Sequence, residues 1–554
     1  VVLARTLWSV WVIALAPVIP QQAHAQHTPP DKCAFEGRAR SAVTQLPVGQ
    51  VSIHLLPRGG SIGYAALSKA DGSFHSEGIL PGDYRVDAQR AGYSPPSLET
   101  GPSARANSSV RFAAGQTVTA TLWFTPFGAI SGKVIGPDDE PLSGAHITLI
   151  ERKWRRGNRI FTAVQDGVSD DTGTFRLDSV PAGRYWIYAA RPQNNAPLGG
   201  SIVDAPGAPE QRIAARYYPD AAQLDAASPI DIHPGEELTN INFKLSLAPV
   251  FHITGTYSGD ESAGIGLKTS HGDQMLDWTV EHATLGKGNH QFEFAGIVPG
   301  SYSLYASAFS HRDLLSSAPI PVTVNSQDVR GVTAPDVRLF ELKGRVSVEG
   351  DSTPDEIPIR ISCDGDKADY YSTAIRSTNP EPDGSFIIHY LTPDRYTITI
   401  SNFENDGKSG YYLKSLRANG VDITGRPIDL TAGPAESVEL ILSPDGGAIQ
   451  GNVIPPEGSA DAEEVTVIAL REQAAPIVLY LDPGGHFQAT DLAPGTYRLF
   501  AVPGYNPDLW MNSDFQRQIA GRGVPVEVAE KSTATVSIPT LRAAEIRQIE
   551  ERVE

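Results

Sequence analysis

Cysteine is nearly missing: Cys33 and Cys363 are the two in 554 residues, so far apart that a bridge between them would require the chain to fold back on itself. Two separate thiols are the simpler expectation. Positive charge is also scarce, with 45 Lys and Arg against 64 Asp and Glu and a net charge of −19. That balance disfavours nucleic acid and anionic membrane as bulk partners and keeps the chain soluble. Helical periodicity is almost absent, and no His-Glu-x-x-His sequence occurs among the scattered histidines. The one long apolar run, Leu7 to Ile19, has 13 residues, too few to span a bilayer, and Pro17 and Pro20 weaken it as a helix. Nothing later resembles a transmembrane segment.

Arg5 precedes that run, and Ala23-His24-Ala25 before Gln26 fits a small-residue cleavage site. Residues 1–25 are therefore expected to be a signal peptide, and no cysteine at the cleavage point suggests a lipoprotein. The mature chain is expected to be exported, to the periplasm, the outer-membrane surface or the outside of the cell.

What the chain does have is a repeat. A phenylalanine is followed ten residues later by a tyrosine in five places: Phe74/Tyr84, Phe175/Tyr185, Phe292/Tyr302, Phe386/Tyr396 and Phe487/Tyr497. A proline turn precedes each tyrosine, as in PGDY, PAGRY, PGSY, PDRY and PGTY. Each unit opens on a short strand with a glycine, at Gly37, Gly132, Gly255, Gly344 and Gly451, and continues into an alternating apolar segment such as VSIHLL or VTVIAL. Several short strands per roughly 100 residues, separated by Gly, Pro, Asp and Asn turns, predict antiparallel β-sandwiches. The predicted units are 33–126, 127–247, 248–339, 340–443 and 444–541, with a charged, helical tail over 542–554. The tyrosines read as corner residues whose hydroxyls return to backbone at the bend. Linkers of a few residues predict a semi-rigid string.

The second unit, ISGKVIGPDDEPLSGAHITLI followed by DDTGTFRLDSVPAGRYWIYAA, resembles the carboxypeptidase regulatory-like domain, a transthyretin-like sandwich also grouped with carbohydrate-binding-like folds. The stretches from Ala215 (ARYYPDAAQLDAASPIDIHPGEELTNINFKL) and Tyr411 (YYLKSLRANGVDITGRPIDL) look like segments of large secreted bacterial members. The third unit departs most, where SGDESAGIGLKTSHGDQ from Ser258 replaces the usual turn and second strand. The resemblance implies a fold and an exported location, and names no reaction.

Motifs with catalytic spacing have simpler readings. Ser61 in GGSIG matches a nucleophile elbow but lacks the strand-to-helix setting that elbow needs. His233 and Glu236 have His-x-x-Glu zinc spacing but fall in a turn before a last strand. Asp71, Asp171 and Asp383 supply one carboxylate per turn, too few oxygens for calcium. No catalytic residue, metal or other cofactor is expected.

The most unusual local chemistry is ERKWRRGNR, where Arg152, Lys153, Arg155, Arg156 and Arg159 surround Trp154 in an acidic chain. Guanidinium forks match sulfate, carboxylate or phosphate, and an exposed indole stacks on sugar. An anionic glycan or envelope component is the candidate ligand, and a solvated hairpin that protects a sheet edge is the alternative. The expected function is a non-enzymatic exported binding or structural protein of the bacterial envelope. A pure spacer and an accessory part of a peptidase system are the other readings.

Overall fold

The computed structural model describes residues 32–57, 63–100, 109–190, 210–259, 263–271, 274–285, 290–310, 313–350, 359–366, 376–401, 410–454, 465–472, 474–482 and 485–553. Residues 1–25, expected to be a signal peptide, and Ser61 lie outside them.

The same strand order recurs around each Phe/Tyr pair. The opening strand, such as Cys33–Ser41 or Gly447–Ile454, pairs antiparallel with the phenylalanine strand and parallel with the closing strand. A second sheet faces it, in which the alternating segment pairs antiparallel with the tyrosine strand, as Ser52–Pro57 does with Gly82–Gln89 and Val465–Arg471 with Gly495–Pro503. The parallel pair departs from the purely antiparallel expectation. In the third repeat the poorly matching stretch still supplies the strand Gly264–His271, paired with Gly300–Ser310, so the order is kept.

The repeated glycine follows from this pairing. Gly37, Gly132, Gly255, Gly344 and Gly451 stand directly opposite Phe74, Phe175, Phe292, Phe386 and Phe487 in the antiparallel register. At all five the closing segment brings a carbonyl oxygen into the space of a side chain: those of Ala120, Ile241, Val332, Val438 and Val536. The phenyl ring also lies over the glycine: a Cβ at Gly451 would stand 2.7 Å from Cζ of Phe487, and one at Gly37 2.9 Å from Cζ of Phe74. No real Cβ fits there, so this position needs hydrogen for close approach.

The tyrosines close the other end. Each hydroxyl donates to the carbonyl four residues back: Tyr84 to Leu80 at 3.0 Å, Tyr185 to Pro181 at 3.0 Å, Tyr302 to Val298 at 2.7 Å, Tyr396 to Thr392 at 3.0 Å and Tyr497 to Ala493 at 2.8 Å. The rings are buried, so the bond satisfies a hydroxyl and a bend carbonyl together. Among the described residues five clusters of buried side chains follow one another along the chain, and each holds one Phe/Tyr pair.

Among the described residues three short α-helices, α1 (Pro507–Trp510), α2 (Ser513–Ile519) and α3 (Ala543–Glu550), break the all-strand pattern. The first two were not expected. Their start signals are local: the Asn506 side chain accepts from the amides of Asp508 and Leu509, Pro507 follows it, and the Asn512 side chain accepts from Phe515. α3 lies in the tail that was expected to be helical.

Gly451→Ala is expected to destabilise the fifth core by about 1–3 kcal/mol through overpacking. The same change at Gly521, where a Cβ would meet nothing within 4 Å and φ is not left-handed, gains about 0.4–1 kcal/mol by restricting the unfolded chain. Phe487→Ala is expected to cost about 3–5 kcal/mol. Denaturant unfolding of the full chain checks both signs.

Candidate functional site

The cationic segment forms a β-hairpin from His146–Arg155 and Asn158–Val168, with Trp154 opposite Arg159 and Arg155 opposite Asn158. Its two turn residues, Arg156 and Gly157, have φ of 46° and 79°, the doubly left-handed turn that suits strand twist. Glycine takes this conformation freely. Arginine does not, and its neighbours hold it.

Those neighbours come from the far end of the chain. The Arg156 amide donates to Asp508 Oδ1 at 2.7 Å, and the Gly157 amide donates to the Asp508 carbonyl at 2.8 Å. Asn512 Nδ2 donates to the Gly157 carbonyl at 2.7 Å, and a Cβ at Gly157 would stand 2.8 Å from the Met511 carbonyl oxygen. The Arg156 guanidinium bonds the Gly365 carbonyl and lies 3.8 Å from Asp364 Oδ1, which adds the fourth core to the contact.

Trp154 is 5% exposed, which corrects the expectation of an open indole that could stack on a sugar. Its Nε1–H donates to Glu550 Oε1 on α3 at 2.7 Å. The Arg159 guanidinium carbon lies 4.7 Å from the indole ring centroid, and its Nη2 donates to the Glu550 carbonyl at 2.8 Å. Apolar contact comes from a cluster that includes Phe500, Leu509, Trp510, Ile549 and Val553. Arg152 and Lys153 keep exposed side chains, and Arg155 is half-buried. The site therefore has an acidic, apolar partner already in place, and that partner is the chain's own C-terminal segment.

A sequence signal for this contact existed on the receiving side. In strands with one wet face polar residues alternate with apolar ones, as in YTITIS. The fifth unit instead has continuous apolar runs at 467–470 and 499–502, and all eight residues are buried. Val467 and Ala469 face the fifth core, whereas Ile468 and Leu470 face the cluster that receives Trp154. A sheet apolar on both faces is covered on both. The contact also departs from the string expected from short linkers, because the second core touches parts of the chain that are not its sequence neighbours.

The other candidates have turn roles. His233 and Glu236 close one turn: Glu236 Oε2 accepts from the His233 amide at 2.8 Å and lies 2.8 Å from its Nδ1. These bonds, the backbone one first, hold the Glu236 carboxyl below its ordinary range. Asp71 and Asp383 each accept from a serine hydroxyl and amide two residues on, which lowers both carboxyl pKa values. In the second repeat Asp170 plays this part, accepting from Thr172 and Thr174, where Asp171 had been expected. No group of three or more metal-ligating side chains occurs among the described residues. Cys33 and Cys363 are buried and separate, and burial pushes the Cys363 thiol up to about 12, far from a reactive thiolate.

Residues 129–213, which include most of the second core and the whole hairpin, match the carboxypeptidase regulatory-like domain. No curated protein matches the chain. Solved structures similar to it include the TIE protein of Bacillus anthracis, at 11% identity and a TM-score of 0.15, over 71% of this chain and 68% of that one. A streptococcal ancillary pilin is similar at 11% identity and 0.18, over 56% of this chain and 99% of its own. GBS52, the minor pilin of Streptococcus agalactiae, is similar at 12% identity and 0.22, over 40% and 97%. Scores this low say nothing about what the chain does.

Trp154→Ala is expected to lower the unfolding midpoint, with a loss of about 3–5 kcal/mol for a buried aromatic. Trp154→Phe keeps most of the packing and leaves Glu550 without its donor, at about 1–3 kcal/mol. Thermal and denaturant unfolding of the full chain, compared with Lys153→Ala as an exposed control, measures both.

Proposed function

We propose that the chain is a non-enzymatic, exported structural protein of the bacterial envelope, built of five sandwiches over 33–126, 127–247, 248–339, 340–443 and 444–541. Its tail, 542–554, meets the second sandwich through Ile549, Glu550 and Val553. The observation that carries this reading is the contact of Trp154, Arg156 and Gly157 with Asp508, Asn512 and Glu550, 352 to 396 residues away along the chain. Short tethers restrict bending between sandwiches without abolishing it. A buried contact between distant members removes that freedom, which serves a protein whose task is to hold a fixed spacing. The most chemically distinctive segment of the chain is thereby spent on internal architecture.

Anionic-glycan binding is the second reading, and the exposed side chains of Arg152 and Lys153 favour it. Its affinity would come from several weak charge contacts and fall with salt. A role as an accessory to a peptidase rests only on the description of the matching family.

Small-angle scattering of the full chain against Asp508→Ala/Asn512→Ala tests the structural reading. The double variant is expected to have a larger radius of gyration with all five cores folded, and identical curves would overturn the proposal. Titration with heparin separates the second reading. Salt-sensitive binding that disappears in Arg152→Ala/Lys153→Ala would put glycan binding in its place.

A further inference from the structure

A second contact joins consecutive cores, and part of its chemistry depends on a proton. The short strand Gln211–Ile213 pairs with Leu247–Pro249 as a two-stranded ribbon, immediately before the opening strand Phe251–Tyr257 of the third core. The Val250 amide donates to the Glu210 carbonyl at 2.9 Å. Arg212, 6% exposed, reaches across Gly296 and donates from Nη1 to the Ala295 carbonyl at 3.1 Å. Gly296 has φ of 70°, and a Cβ there would fall on the guanidinium. Residues 210–213 thus form a strap from the second core laid over the third.

His252 stands where the strap meets the sheet. Its Nδ1 lies 2.8 Å from Glu293 Oε1 on the neighbouring strand, and its Nε2 lies 3.1 Å from Glu210 Oε2 on the strap. Its backbone amide donates to Asp328 Oδ1 at 3.0 Å, and Asp328 is paired with Arg330 at 3.2 Å. Arg212 Nη2 lies 4.0 Å from Glu210 Oε1. The charged groups around the ring are therefore Glu210, Glu293 and Asp328, with Arg212 and Arg330 behind them. A neutral imidazole has one N–H and one lone pair, so it can donate to one carboxylate only and must aim its lone pair at the other. Both bonds exist together only in the imidazolium.

We propose that protonated His252 fastens the strap of residues 210–213 to the third core, and that loss of its proton releases Glu210 and loosens this joint. The shorter bond, to Glu293, lies within the third core's own sheet and is retained. The bond to Glu210 is the one that the neutral ring cannot keep. Burial opposes the charge, but the ring's hydrogen bonds to Glu210 and then Glu293 outweigh it and hold the ring above its ordinary value of 6.5. For a raised histidine the stabilisation is fully present below the unfolded value and is lost as pH rises through the folded one. The joint is thus tight in mild acid and loose in mild base.

Hydrogen exchange of the full chain between about pH 6 and pH 9, corrected for the chemical pH dependence of exchange, tests this. In the parent, protection of peptides covering 210–213 and 247–252 is expected to fall with rising pH, by about tenfold for each unit by which the histidine is raised. His252→Gln, which does not titrate, is expected to show no such fall. If that variant does not fold, Glu210→Gln serves, because an amide can donate to the neutral ring and so removes the pH dependence. The proposal is overturned if parent protection is constant across the range, if the variant that folds follows the parent's profile, or if peptides of the first and fifth cores lose protection equally.

Discussion

Each repeat depends on one crossing at which there is no room for a side chain. The opening strand lies between the phenylalanine strand and a parallel closing strand, and at its glycine a carbonyl oxygen from one neighbour occupies the place of a Cβ. The phenyl ring opposite takes the volume that the glycine gives up and carries it into the core. This explains why the glycine and the phenylalanine recur together at a fixed register, and why the tyrosine ten residues on ends the same core. The pair sets sheet spacing at one end, and the tyrosine-to-carbonyl bond sets the bend at the other.

Repetition of this unit also creates a problem that the chain solves by unequal means. A sandwich with two wet outer faces needs nothing from its neighbours. The second and fifth cores lack that independence, because the fifth has apolar residues on both sides of its second sheet and the second projects a long hairpin. The hairpin's indole fills the extra apolar face, and its turn amides meet the carboxylate and carbonyl of Asp508. A cation-rich segment in an acidic protein invites a reading as a site for an external anion. Two carboxylates of the same chain reach this hairpin, Glu550 accepting from the Trp154 indole and Asp508 from the Arg156 amide, and the docking also buries the tryptophan.

The resemblance to the carboxypeptidase regulatory-like domain came from the glycine strand, the Asp-Thr-Gly turn and the proline–tyrosine corner of the second unit, and the family match falls on that unit. These are local features. Each is a requirement of a turn or of one strand pair, and a residue that must meet it is visible in one dimension. The same holds for the caps of α1 and α2, which stand in the sequence as Asn-Pro-Asp and Asn-Ser-Asp although strand reasoning passed over them.

What the sequence by itself determined is therefore the repeating unit: the succession of its strands along the chain, its buried pair, its corner and its turns, all set by period-two alternation and by glycine and proline at fixed offsets. Only the tertiary structure decided what the outward faces meet. Trp154 is open or buried according to whether a segment that includes Glu550, 396 residues away, covers it, and no local pattern in ERKWRRGNR encodes that. Likewise His252, Glu210 and Glu293 come together because a strap, a strand start and a neighbouring strand converge in space. Side chains of residues distant in sequence share a contact only once the backbone has folded, so the chemistry of such a contact is a property of the fold rather than of any one segment.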